Sequence, residues 1–256
     1  DNTISGIGEV GIYVEDSIST EIYDNTVSSS SYGIALFSEG GWSEHEVHDN
    51  TLNGNVVGLQ LNGEDSCLVY DNSIINNEET GIGVYCSLGN LFYRNRITGA
   101  GEEVYLVYLS DDGCEMPTDD NVFYDNDLRN PGVDGFYYID ADCSGENYLS
   151  AYHADGAWIG CDAEAADEKT CHGNYYDIIV NYNDLQDTNG DGYYDSSTQG
   201  EDGYYPFPRI DEEGSDPESF YLGLFSTWQD YGPRTKGLIT GGGGGGAEEE
   251  EPEPEL

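Results

Sequence analysis

Short runs of alternating apolar and polar residues recur along the chain, and no stretch repeats its apolar residues with a helical period. The run Ile22-Tyr23-Asp24-Asn25-Thr26-Val27 sets the pattern, hydrophobic-x-Asp-Asn-polar-hydrophobic. It returns as EVHDNTLN (46–53), LVYDNSII (68–75), LFYRNRIT (91–98) and VFYDNDLR (122–129). Aligned on the Asn, the copies fall at Asn2, Asn25, Asn50, Asn72, Asn95, Asn126 and Asn147, spaced by 23, 25, 22, 23, 31 and 21 residues. Between them runs a second signature, Gly followed by alternating apolar residues: GIYV (11–14), GIALF (33–37), GLQL (58–61), GIGVY (81–85) and GFYYI (135–139). EVYLVYL (103–109) fills that slot with Glu103 where Gly is expected. Each unit therefore predicts two or three short strands separated by turns.

Such a unit cannot bury its own apolar face, but stacked units can, each backbone bonding to the coils above and below at about 4.8 Å. The expected fold is all-β, a right-handed parallel β-helix of about seven coils over residues 1–171. Residues expected inside are Ile12, Val14, Ile22, Val27, Ile34, Leu36, Val47, Leu52, Leu59, Leu61, Val69, Ile74, Ile82, Val84, Phe92, Ile97, Phe123, Leu128, Phe136 and Leu149. The recurrent Asn belongs at a bend, where its amide donates to one coil and accepts from the next and its backbone tolerates unusual angles. All seven copies, Asn147 included, are expected in this ladder. One position earlier runs a carboxylate stripe: Asp1, Asp24, Asp49, Asp71, Arg94, Asp125 and Glu146. Arg94 between Asp71 and Asp125, and Arg96 beside Asp127, would relieve its repulsion. Two positions earlier stands an aromatic column: Tyr23, His48, Tyr70, Tyr93 and Tyr124. It reads first as a structural stack; Tyr23, Tyr70, Tyr93 and Tyr124 are also a candidate platform for sugar rings.

Charge narrows the partners. Fifty-two acids against 7 Lys and Arg leave a formal charge of −45. Nucleic acid and anionic membrane are excluded as partners, since both need cations to neutralise phosphate. The self-repulsion calls for multivalent cations, high salt or a basic partner. Six Cys without a CxxC pattern read as disulfides, hence an oxidising, extracellular or cell-surface setting. Stacking suggests the pairs Cys67–Cys86, Cys114–Cys143 and Cys161–Cys171. No apolar run reaches the ~18 residues of a membrane span. The opening residues already lie within a repeat, so the chain reads as a mature or excised piece of a secreted protein.

After CHGNYYD (171–177) the repeat stops, and residues 172–238 are expected to cap the helix. Asp187, Asn189, Asp191 and Asp195, with Gly192 at the sharp turn and the Tyr193 carbonyl, match the first positions of an EF-hand-type calcium loop. Thr198 stands where the bidentate Glu would close it, which lowers the expected Ca²⁺ affinity. GNYYD, DTNGDGYYD and DGYYPF (173–207) resemble the closing segment of NosD-like, CASH-type β-helix proteins, abundant on archaeal surfaces, and the repeats resemble those of pectate lyases. That resemblance implies a β-helix fold and an extracellular setting; such repeats host both enzymes and inert scaffolds. Residues 239–256 form a Gly-rich, then acidic Pro/Glu tail.

Two functions follow as expectations. The first is a non-enzymatic structural protein of a surface layer, sheath or filament, holding Ca²⁺ and polymerising through its β-helix ends and tail. The second is a carbohydrate-binding or polysaccharide-cleaving β-helix, with surface polysaccharide as its partner. The scarcity of Lys and Arg disfavours a lyase acting on acidic sugars, which such a negative surface repels.

Overall fold

The computed structural model describes residues 1–39, 42–99, 105–129, 139–143, 147, 151–152, 171–172 and 175–176. The chain cycles through three parallel sheets in a fixed order. The first holds β1 (Asn2–Ser5), β4 (Asn25–Ser28), β7 (Thr51–Asn53), β10 (Ser73–Asn77), β13 (Arg96–Gly99), β16 (Asp127–Arg129) and β20 (Tyr175–Tyr176). The second holds β2 (Val10–Glu15), β5 (Tyr32–Phe37), β8 (Val57–Asn62), β11 (Thr80–Tyr85), β14 (Tyr105–Ser110) and β17 (Ile139–Asp142). The third holds β3 (Glu21–Tyr23), β6 (Glu46–His48), β9 (Leu68–Tyr70), β12 (Leu91–Tyr93) and β15 (Val122–Tyr124). A short antiparallel pair, β18 (Ala151–Tyr152) with β19 (Cys171–His172), lies before β20. This is the solenoid that the alternation predicted, and β20 comes from the segment expected to belong to the cap.

The core runs up the axis between the sheets. Sixteen of the residues expected inside, from Ile22 to Leu128, are buried in one apolar cluster, and Ile12 and Val14 pack against it half-buried. Phe136 and Leu149 lie outside the described residues. Leu106, Val107, Leu109 and Cys67 complete the cluster. Phe92 and Phe123 stack inside it, ring centroids 4.3 Å apart. Burying each such aliphatic or aromatic side chain contributes about 1.5–3 kcal/mol.

The Gly signature has a steric cause. A Cβ on Gly33 would lie 2.5 Å from the Gly58 carbonyl oxygen, and one on Gly81 would lie 2.5 Å from that of Leu106. Thr80 pairs with Tyr105 and Ile82 with Val107, so the residue opposite Gly81 is Leu106. The expected equivalence of Glu103 with the Gly slot is therefore wrong; Leu106 fills it, fully buried.

Asn side chains line all three corners. At the first corner Asn2 Nδ2 donates to Asn25 Oδ1 at 2.9 Å, and the chain of amides continues through Asn50, Asn72, Asn95 and Asn126 at 3.0–3.1 Å. Each Oδ1 from Asn50 to Asn126 also accepts from the backbone N–H of the preceding Asn. Asn147 is not part of this column. It accepts from Asn121, which accepts from Asn90, at the corner that precedes the third sheet. The remaining corner holds Asn55 and Asn77, with Ser30 N–H bonded to Asn55 Oδ1. A second difference concerns the bend itself. Its unusual backbone angle is carried by the residue before the Asn: Asp24, Asp49, Asp71, Arg94 and Asp125 all have φ between 52° and 55°. The Asn supplies the amide; its predecessor supplies the left-handed turn.

The disulfides also differ from expectation. Cys86 bonds Cys114, with Cα atoms 5.3 Å apart. Both follow strands of the second sheet that pair in register, β11 and β14. Cys67 instead directly precedes the third-sheet strand β9, packs in the core cluster and is a buried thiol. The expected Cys67–Cys86 and Cys114–Cys143 pairs are thus excluded. Cys143 is half-buried and its sulfur accepts from Asn147 Nδ2 at 3.5 Å. Cys161 and the Cys171 side chain lie outside the described residues. Among the described residues, no helix is long and apolar enough to cross a membrane.

Candidate functional site

Among the described residues, the outer face of the third sheet brings together aromatic, acidic and imidazole side chains. Alternation turns Ile22, Val47, Val69, Phe92 and Phe123 inward, which leaves two outward columns. One is Glu21, Glu46, Leu68, Leu91 and Val122, paired in register from strand to strand. The other is the aromatic column Tyr23, His48, Tyr70, Tyr93 and Tyr124.

The rings stack on one another. Successive centroids are 5.3, 4.7, 5.0 and 5.2 Å apart, with planes within 14° of parallel. Both faces of His48, Tyr70 and Tyr93 are therefore taken by neighbouring rings, and outward they offer ring edge and polar atoms, while Tyr23 at the end of the column stacks on one face and is 46% exposed. Arg94 lies over the Tyr93 ring, its guanidinium carbon 5.1 Å from the centroid, and its guanidinium binds both oxygens of Asp71 at 3.0 and 2.7 Å. Arg96 stands beside Asp127 as expected, paired with it in register, and the Asp127 carboxylate is bound by Arg129, two residues along its own strand.

A groove of about 1010 Å³ runs along the other outward column. Its far wall is made of Ser19, Glu44, Ser66, Gly89 and Asp120, turn residues that share positive φ values of 49–61°. The groove is graded along its length. Glu21, Glu44 and Glu46 line one end, while Leu68, Leu91 and Val122 give the other an apolar floor with Asp120 on its wall.

At the acidic end, Glu21, Glu46 and His48 each bring a ligand atom to within 4.8 Å of the other two, close enough to coordinate one divalent ion. His48 Nε2 lies 3.2 Å from Glu21 Oε1, and Nδ1 lies 2.8 Å from Asp49 Oδ2. Tyr70 donates its hydroxyl to Glu46 Oε2 at 3.3 Å. Partial burial alone would lower the His48 pKa, but hydrogen bonds and charge from Asp49 and Glu21 outweigh it and raise it. Desolvation, with the nearby Glu46 charge, holds the Tyr70 phenol well above its usual value.

Behind this face, inside the helix, lies a buried polar group. His45 Nδ1 accepts from the Thr20 N–H at 3.0 Å, and Nε2 is 3.5 Å from Glu64 Oε2. Glu64 Oε1 is buried with no hydrogen-bond partner. Desolvation raises the Glu64 pKa, partly offset by hydrogen bonds from Ser43 and Cys67, and lowers that of His45. Burial pushes the Cys67 thiol up to about 12, so it is no nucleophile at neutral pH.

The sequence singled out the aromatic column and the structure assembles it, joining to it two carboxylates that the sequence reading left unassigned. Their signal was present, since Glu21 and Glu46 each stand two residues before the column on adjacent repeats. The groove was not foreseen, because the turn wall is defined by backbone angle and not by residue type. The expected calcium ligands Asp187, Asn189, Asp191, Tyr193 and Asp195 lie outside the described residues.

Comparison with known proteins agrees with this architecture. No curated protein and no solved structure gives a significant match. The family model described as "Right handed beta helix region" matches residues 1–151, more than half of the chain. The three parallel sheets stacked coil on coil fit that description, and this chain belongs to the family.

Proposed function

We propose that this chain is a non-enzymatic structural rod of an extracellular cell-surface assembly (a layer, sheath or filament), related to the NosD-like proteins. The observation that carries this reading is the mutual use of its recognition groups. Ring faces stack on ring faces and corner amides bond to corner amides, so groups that would grip a ligand grip the next coil instead. The Cys86–Cys114 bond and the acidity suit an oxidising, cation-rich exterior. Calcium, in this reading, binds the loop from Asp187 to Asp195 and links coil stack, cap and tail into a homopolymer. Electron microscopy of purified chain with and without EDTA tests it. Ordered polymer that loosens on chelation supports the reading; discrete particles indifferent to calcium sink it.

A second reading rests on the groove. A cleft of about 1010 Å³ with an apolar floor at one end and hydroxyl edges beside it suits an extended neutral glycan. Saturable retention of a neutral polysaccharide, abolished by Leu91→Asp, would favour this over the rod.

A further inference from the structure

Two columns on the third sheet change character at the same place. Tyr occupies four of the five positions in the aromatic column, and the one imidazole, His48, falls where the neighbouring column carries carboxylates. Farther along, that neighbouring column is Leu68, Leu91 and Val122. Glu21 and Glu46 face each other across paired strands, an arrangement that destabilises a sheet when both are charged. In a chain of net charge −45 no cationic Lys or Arg is recorded against either of them among the described residues. Beside them stands an imidazole whose Nε2 faces Glu21 and whose Nδ1 is fixed on the Asp49 carboxylate. A carboxylate behind the second ring nitrogen is the usual support of a metal-bound histidine, because it orients the ring and raises its basicity.

We propose that Glu21, Glu46 and His48 form a site for a divalent transition metal of the zinc class, distinct from any calcium loop. Two carboxylate oxygens and Nε2 supply three ligands, and the remaining position opens to the groove that Glu21 and Glu46 line. Asp49 holds the imidazole and the Tyr70 hydroxyl holds Glu46, so both ligands are oriented before metal arrives. The imidazole sets the preference. Calcium and magnesium take oxygen donors, whereas a mixed nitrogen and carboxylate set favours zinc and its neighbours. The ion would cancel the repulsion of the paired glutamates and rivet β3 to β6.

The test is titration of the full chain, stripped with EDTA and then held in excess Ca²⁺ to fill oxygen-only sites, with Zn²⁺ followed by calorimetry. One Zn²⁺ per chain should bind despite the calcium. Its affinity should fall at least ~10-fold in His48→Tyr and in Glu46→Gln, and by about 10-fold in Asp49→Asn, which loses only the orienting carboxylate. His48→Tyr continues the tyrosine column and Glu21→Gln, which should also lower the affinity at least ~10-fold, alters an exposed position, so both report on binding with the fold intact, checked by circular dichroism. Replacing Zn²⁺ with Co²⁺ gives an independent readout, a visible absorption band that His48→Tyr should abolish. Zinc binding unchanged in His48→Tyr and Glu46→Gln, or abolished by calcium, overturns the proposal.

Discussion

Asn72→Ala is the sharpest test of what holds the coils in register. The Asn72 side chain has five hydrogen-bond contacts: Oδ1 accepts from Asn50 N–H and Nδ2, and Nδ2 shares its two hydrogens among Val47 O, Tyr70 O and Asn95 Oδ1. The site is 2% exposed, so water cannot replace them without opening the corner. The Asn50 N–H loses its acceptor, a loss of about 1–3 kcal/mol for a buried donor, and each remaining bond adds ~0.5–1.5 kcal/mol. Counting one bond for each of the two Nδ2 hydrogens, three bonds remain and the sum is about 2.5–7.5 kcal/mol, a large share of the ~5–15 kcal/mol that stabilises an ordinary domain. Asn2→Ala is the internal control. Its side chain makes one recorded amide bond, to Asn25, from an exposed position, so it should cost under ~1 kcal/mol. Urea unfolding of the two variants beside the parent gives the difference through the shift in midpoint at unchanged slope. If Asn72→Ala lies within ~1 kcal/mol of Asn2→Ala, the amide ladder is an accompaniment of the fold and not its fastening.

Other outcomes follow from single sites. Gly58→Ala places a Cβ 2.6 Å from both the Gly81 carbonyl oxygen and Ile74 Cγ2, and should lose about 1–3 kcal/mol, while Gly8→Ala, with open space around it, should not lower the melting temperature. Cys86→Ser opens a loop of 28 residues and should destabilise by about 3–4 kcal/mol, read as a fall in melting temperature that the parent shows only under reductant. Glu64 has its pKa raised by burial from an ordinary value of 4.5, so its contribution is full below pH 4.5 and lost as pH rises through the folded value. Glu64→Gln should therefore gain stability relative to the parent on going from pH 4 to pH 8, and a gap constant with pH would contradict the shift.

Much of the architecture could be read from the chain because a coil is short and its columns repeat. Ile22, Val47, Val69, Phe92 and Phe123 announce one inward column by spacing alone, and Asn25 to Asn126 announce one corner. The errors come from positions where two corners look alike. Asn147 was assigned to the wrong column because both corners use Asn. Its surroundings differ, with Gly145 in place of the aromatic and Tyr-Leu following as Leu-Phe follows Asn90. In sequence it is Asn174, directly before β20, that stands as Asn126 does before β16. The cysteine scheme failed for a related reason. A separation of one coil is necessary for a bond but does not say whether a thiol points inward, as Cys67 does, or leaves the end of a strand, as Cys86 does. Of the candidate site, the aromatic column was legible, whereas the ion-binding trio needed the register between β3 and β6 to bring Glu21 and Glu46 together.

The Cys86–Cys114 bond clips two neighbouring rungs of a ladder whose strands lie across its length. A pull along the long axis loads every hydrogen bond between two rungs at once, so the weakest gap fails as a unit and a crack can then travel rung by rung. At the gap between β11 and β14 that crack meets a covalent stop. Tension then passes through the two sulfurs, so the residues between Cys86 and Cys114 carry none of it and that one gap stays closed while its neighbours open.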